Sequence, residues 1–99
     1  MNEKLYFVKH YVKTDEDTHW VILDRYGAKK TFEEANKLAH QLFEDFLYRS
    51  DGYISEWYGD SISSDQIEES FENGDYSVNV FPDETYIFGW CVCRIYFRV

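Results

Sequence analysis

An α+β fold built on an antiparallel sheet is what this sequence predicts, and three observations predict it. Runs of β-forming residues crowd both ends of the chain. One long stretch between them repeats its apolar residues at helical spacing. A second, shorter stretch carries helix-capping signals. The expected order is β-β-α-(β)-α-β-β in one domain over residues 1–99, with one main helix packed on a face of the sheet and a short acidic second helix. Aromatic residues make up 20% of the chain, which is enough apolar bulk for a packed core despite a net charge of −9.

Leu5 to Val12 opens the sheet, rich in β-formers and apolar on both parities. A polar break at Thr14-Asp15-Glu16-Asp17-Thr18 separates it from a second run, His19 to Leu23, so the two read as an antiparallel hairpin. Thr31-Phe32-Glu33-Glu34 fits a capping box with Thr31 as N-cap. Apolar residues then recur at Phe32, Ala35, Leu38, Ala39, Leu42, Phe43, Phe46 and Leu47, the stripe of a helix near 32–49, and Ser50-Asp51-Gly52 reads as its stop. Tyr53 to Tyr58 reads as a short strand. Ser63-Ser64-Asp65-Gln66 fits a second capping box, with Ile62 and Ile67 placed for a hydrophobic staple, and predicts a helix over 64–73 ended by Asn73-Gly74. Tyr76, Val78 and Val80 alternate with polar residues as in a half-buried strand. Pro82-Asp83 marks a turn, and Tyr86 to Val99 forms a long last strand with a bend at Gly89.

Charge is distributed unevenly. Residues 1–43 hold seven acids and seven bases, whereas residues 44–84 hold twelve acids and only Arg49 as a base, so the whole negative excess sits mid-chain. On the expected second helix Asp65, Glu68, Glu69 and Glu72 share one face, with Ile67 and Phe71 toward the other. Two of the resulting i,i+4 pairs are like-charged, at a cost of a few tenths of a kcal/mol each, and Glu72 lies at the unfavourable end of the helix dipole. A helix selected for its own stability would carry a lysine there, so the pattern hints at recognition. The plain reading of such a run is a solvated face that aids solubility. The functional reading is a ridge of carboxylates, spaced by about 5–6 Å along a helix, that pairs with the Arg and Lys of a basic groove. Tyr48, Tyr53, Trp57, Tyr58 and Tyr76 lie in the same segment, and Tyr58, beside Gly59-Asp60, is the one most suited to stay exposed.

The strongly acidic chain is a poor ligand for DNA, RNA or anionic lipid. No run of about 18 apolar residues exists to span a membrane. The N-terminal MNEKLYFVKH lacks the apolar centre of a signal peptide, so a cytoplasmic, reducing location is expected. Cys91 and Cys93 point to one side of a strand. A disulfide between them would be strained, and two ligands are too few for zinc, so they are expected as small buried thiols on a core strand. His10 and His19 are placed to face each other across the first hairpin as a surface pair. No phosphate-binding glycine loop, nucleophile elbow or calcium loop occurs. No catalytic, metal or cofactor site is therefore expected, and the chain reads as a non-enzymatic binding protein.

In size, acidity and absence of catalytic signatures the chain resembles small inhibitor proteins of phages and mobile elements, including anti-CRISPR proteins and DNA mimics. That resemblance is compositional and rests on no alignable motif. It implies a monomer or homodimer whose acidic face occupies the basic surface of a nucleic-acid-handling protein, without touching nucleic acid itself. Glu56, Tyr58, Asp60, Asp65, Glu68, Glu69, Glu72 and Asp75 are the residues expected to bind that partner. Two alternatives use the same residues or the same size: an immunity or antitoxin protein that neutralises a basic toxin, and a small structural module that dimerises through the edge of the long C-terminal strand.

Overall fold

The computed structural model describes the backbone of residues 2–58, 64–81 and 86–98, with the side chains of 4–47, 65–80 and 86–95. Strand β1 (Asn2–Lys13) turns back into β2 (Thr18–Ile22) as an antiparallel hairpin whose register runs from Lys9↔Ile22 to Lys13↔Thr18. Its loop is closed by polar side chains. The Thr14 N–H donates to the Asp17 carbonyl at 2.8 Å, the Asp17 N–H donates to Thr14 Oγ1 at 3.2 Å, and Asp17 Oδ1 accepts from the Thr18 N–H at 2.8 Å. A one-turn 3-10 helix (Asp24–Tyr26) follows. Lys29 then bridges back to Tyr6 through two backbone hydrogen bonds of 2.9 and 2.8 Å, at one point of β1 that β2 does not reach.

Helix α1 (Phe32–Tyr58) begins where the capping residues place it, with the Glu34 N–H donating to Thr31 Oγ1 at 3.2 Å. Ala35, Ala39 and Phe43 are fully buried along the predicted stripe, and Leu38, Leu42, Phe46 and Leu47 pack at its margins. The helix does not stop near 49, and the strand expected at 53–58 is absent: both segments belong to α1. No proline interrupts residues 32–58, and a single interior glycine costs only about 1 kcal/mol. That is too little to end a helix already anchored by several buried turns.

The predicted second helix over 64–73 is also corrected. Ser64–Gln66 is a single 3-10 turn, Ile67–Ser70 is strand β3, and a four-residue turn leads into β4 (Asp75–Phe81). Like-charge repulsion disfavours the helix, and Gly74, at φ 62°, closes a hairpin loop rather than a helix end. A Cβ on Gly74 would stand 2.7 Å from Val92 and 3.0 Å from Phe32, so both its backbone angle and its surroundings call for glycine. The capping and staple residues Ser63 and Ile62, the turn at Pro82-Asp83, and Val99 lie outside the described residues.

Strand β5 (Tyr86–Arg98) pairs with β1 on one side and β4 on the other, giving one antiparallel sheet in the order β2-β1-β5-β4-β3. The long C-terminal strand is therefore central where β4 pairs with it, over Tyr86–Cys91, and the outer strands are β2 and β3. The α+β class with one main helix holds, in the order β-β-α-β-β-β.

Alternation along the strands and the cross-strand register sort the residues onto two faces. On the face beneath α1 lie Val8, Tyr76, Val78, Val80, Phe88, Trp90 and Val92. There Val8 is 1% and Trp90 7% exposed, and Phe43 packs with Tyr76 and Trp90 at ring separations of 5.9 and 6.1 Å. The other face carries Leu5, Phe7, Tyr11, Ile22, Ile87, Cys91, Cys93 and Ile95, all only half-buried. The cysteines are free thiols on that open face, not core thiols as expected, because the even-numbered residues of β5 are the ones turned to α1.

Candidate functional site

Residues 64–81 contain five acids and neither Lys nor Arg. Asp65 lies in the 3-10 turn, Glu68 and Glu69 in β3, Glu72 in the turn that follows, and Asp75 opens β4. All are exposed except Asp75, which is half-buried. The structure thus brings five of the eight expected binding residues onto one hairpin at the sheet edge. It does not bring them onto one helix face, since Glu68 and Glu69 are consecutive in a strand and point to opposite sides. Glu68, Ser70, Asp75 and Ser77 share the open face by register. With Ile67 and Glu69 they line an open groove of about 420 Å³. Glu56 and Tyr58 fall in the last turns of α1, with side chains outside the described residues, and Asp60 lies outside them altogether.

The hairpin is tied to α1 by polar contacts that sequence patterns do not reveal. Asn36 Nδ2 donates to the Phe71 carbonyl at 3.0 Å, and the Tyr76 hydroxyl donates to Asn36 Oδ1. His40 Nε2 stands 3.1 Å from Glu44 and 3.5 Å from Glu69. Its ring packs on Phe71 and on Tyr76 at 5.0 Å each. The first carboxylate, at i,i+4 on the same helix, is legible in the sequence; the second, contributed by a distant strand, is not. Phe71 stays 55% exposed over this cluster. Burial, with the charge of Glu69 adding to it, raises the Tyr76 hydroxyl above its ordinary range. Gln66 Nε2 donates to the Asn79 carbonyl at 2.7 Å and holds the outer end of the hairpin.

A second cross-strand arrangement also escapes the sequence. Tyr11 lies opposite Gly89 on the open face, and its hydroxyl crosses β5 to donate to Asp75 Oδ1 at 2.9 Å. Burial first, and then this hydrogen bond, pushes the Tyr11 hydroxyl far above its usual value of 10. In the sequence Gly89 reads as a bend in the last strand; its structural role is to leave room for the Tyr11 ring.

The histidines do not pair. The register sets His10 against Val21 and His19 against Val12. The His10 ring stacks on Trp90 at 4.5 Å, and its Nδ1 donates to the Gly89 carbonyl at 2.8 Å, while burial lowers its pKa below 6.5. Burial likewise pushes the Cys91 thiol up to about 11, so it is not a ready nucleophile.

Among the described residues no three His, Cys, Asp or Glu side chains are grouped to hold a metal ion. No helix among them is long and apolar enough to cross a membrane. Comparison with protein-family models, with curated proteins and with solved structures finds no match.

Proposed function

We propose that this chain is a non-enzymatic binding protein whose acidic hairpin docks on the basic surface of a nucleic-acid-handling partner and keeps nucleic acid off it. The observation that carries this reading is the collection of Asp65, Glu68, Glu69 and Glu72, exposed and without a compensating Lys or Arg in residues 64–81, on one outer edge of the sheet. Natural edge strands are often blunted by lysine; a carboxylate-rich edge repels a second acidic edge equally well but selects a cationic partner. Anchorage to α1 through Asn36 and His40 pre-organises the hairpin, so little ordering entropy opposes docking. Exposed Phe71, within the same turn, supplies an aromatic contact at low entropic cost.

Capture from cell lysate at low and at high salt tests the reading. The unmodified chain is expected to retain basic nucleic-acid-handling proteins that release as salt screens the contact. Replacing Glu68, Glu69 and Glu72 together by Lys is expected to abolish capture while leaving the circular dichroism unchanged. Retention of the same proteins by the reversed chain removes the acidic hairpin from the mechanism. An antitoxin acting on a basic toxin draws on the same charge and differs in the identity of the captured protein.

A further inference from the structure

We propose that two copies of this chain pack face to face through the open side of the sheet, about a two-fold axis that runs along β5. The face beneath α1 is closed, whereas Leu5, Ile22, Ile87 and Ile95 on the other side are covered by no element among the described residues and are only half-buried. The face is also levelled for packing. Gly89 leaves a gap at its centre, the Tyr11 ring fills it, and the Tyr11 hydroxyl is tied down on Asp75.

Charge selects the occupant and its orientation. The strand register places Ile22, Lys9, Cys91, Asp75 and Ser70 in one row across the five strands. Lys9 stands one strand to one side of β5 and Asp75 one strand to the other. Rotation by half a turn about an axis along β5 exchanges the two sides and keeps each residue at its own level. Lys9 of one copy then lies over Asp75 of the second, twice by symmetry, and Cys91 meets its own copy on the axis. The neighbouring row, Trp20, Tyr11, Gly89, Ser77 and Glu68, sets the exposed Trp20 rim of one copy over the Glu68 rim of the other. A two-fold axis across the strands would instead stack Lys over Lys and carboxylate over carboxylate. Sheets packed this way stand about 10 Å apart, a gap that two lysine–carboxylate pairs and facing cysteine side chains can bridge.

Sedimentation velocity of the full chain, from micromolar to submillimolar concentration, tests the packing. A monomer–dimer equilibrium is expected. Lys9→Glu and Asp75→Lys should each weaken association by about tenfold, and the two together should restore it. Asp75→Lys also removes the Tyr11 bond, so a second readout uses the unmodified chain: a short bis-maleimide at alkaline pH, with long incubation because burial raises both thiols, should link two copies through the cysteines on the axis. Cys93 lies on the same strand and face, two residues along the axis, so the link should survive either Cys91→Ser or Cys93→Ser and vanish when both are replaced. A chain that stays monomeric throughout overturns the proposal, as does a dimer that Lys9→Glu leaves intact and that neither Cys91 nor Cys93 cross-links. A monomer whose open face binds a hydrophobic dye also overturns it, and points to a different protein as the cover.

Discussion

Of the described glycines, Gly89 has the closest neighbour, the Tyr11 ring. A Cβ at position 89 would fall within the Tyr11 ring, so Gly89→Ala must push that ring aside and break its bond to Asp75. Overpacking of this kind costs about 1–3 kcal/mol, and the lost hydrogen bond adds about 1 kcal/mol. Urea denaturation of Gly89→Ala should show a loss of that size, and adding Tyr11→Ala should make the glycine substitution nearly neutral; additive losses would mean the two residues do not share this space. His10 gives the fold a pH dependence of known sign. Burial depresses its folded pKa below 6.5, so the folded protein favours the neutral ring. Its contribution is complete above the unfolded value and is lost as pH falls through the lower folded one. Thermal midpoints should therefore decline from neutral to mildly acidic pH, and His10→Phe should flatten that slope; an unchanged slope would assign the effect to other groups.

At the scale of elements, Thr31 caps a helix that carries much of the core. Thr31→Ala should cost about 1 kcal/mol, visible as a lower unfolding temperature with no change in the sheet's spectroscopic signature. Elements defined by period were legible in the sequence: the first hairpin, the start and stripe of α1, and the strands β4 and β5. Elements decided by competition were not. Ser50-Asp51-Gly52 resembles a helix stop, yet its local cost is smaller than what the anchored turns before it supply. Ile67–Ser70 carries capping signals upstream and a glycine downstream, as a short helix does. Pairing with β4, which only the assembled sheet provides, settles it as a strand. The acidic segment was legible as a run of residues in the sequence. Its shape was not, because a helix and a strand distribute the same carboxylates differently. His40 was missed for a related reason: its two partners, one turn away on α1 and across on β3, meet only in three dimensions.

On the scale of the whole molecule, charge is polarised across the sheet. Residues 1–30, with β1, β2 and the connection after them, hold six bases against five acids and are nearly neutral, while the β3–β4 hairpin at the far side holds acids without a base. A net charge of −9 on 99 residues works against compactness through self-repulsion. That repulsion acts on folding whether or not a partner is present, so it can be measured on the isolated chain. Moderate salt, which shortens the screening length to about 10 Å at 0.1 M, should raise the unfolding free energy. Each Glu→Lys reversal adds two positive charges, so the variant at Glu68, Glu69 and Glu72 carries −3. Its stability at low salt should equal or exceed that of the unmodified chain, and its dependence on salt should be shallower. Such a result would show that these carboxylates oppose folding and are kept for something other than stability. If the reversed chain were less stable at every salt concentration, the hairpin's charges would instead be part of what holds it to α1, through His40 and Glu69, and their role would be structural.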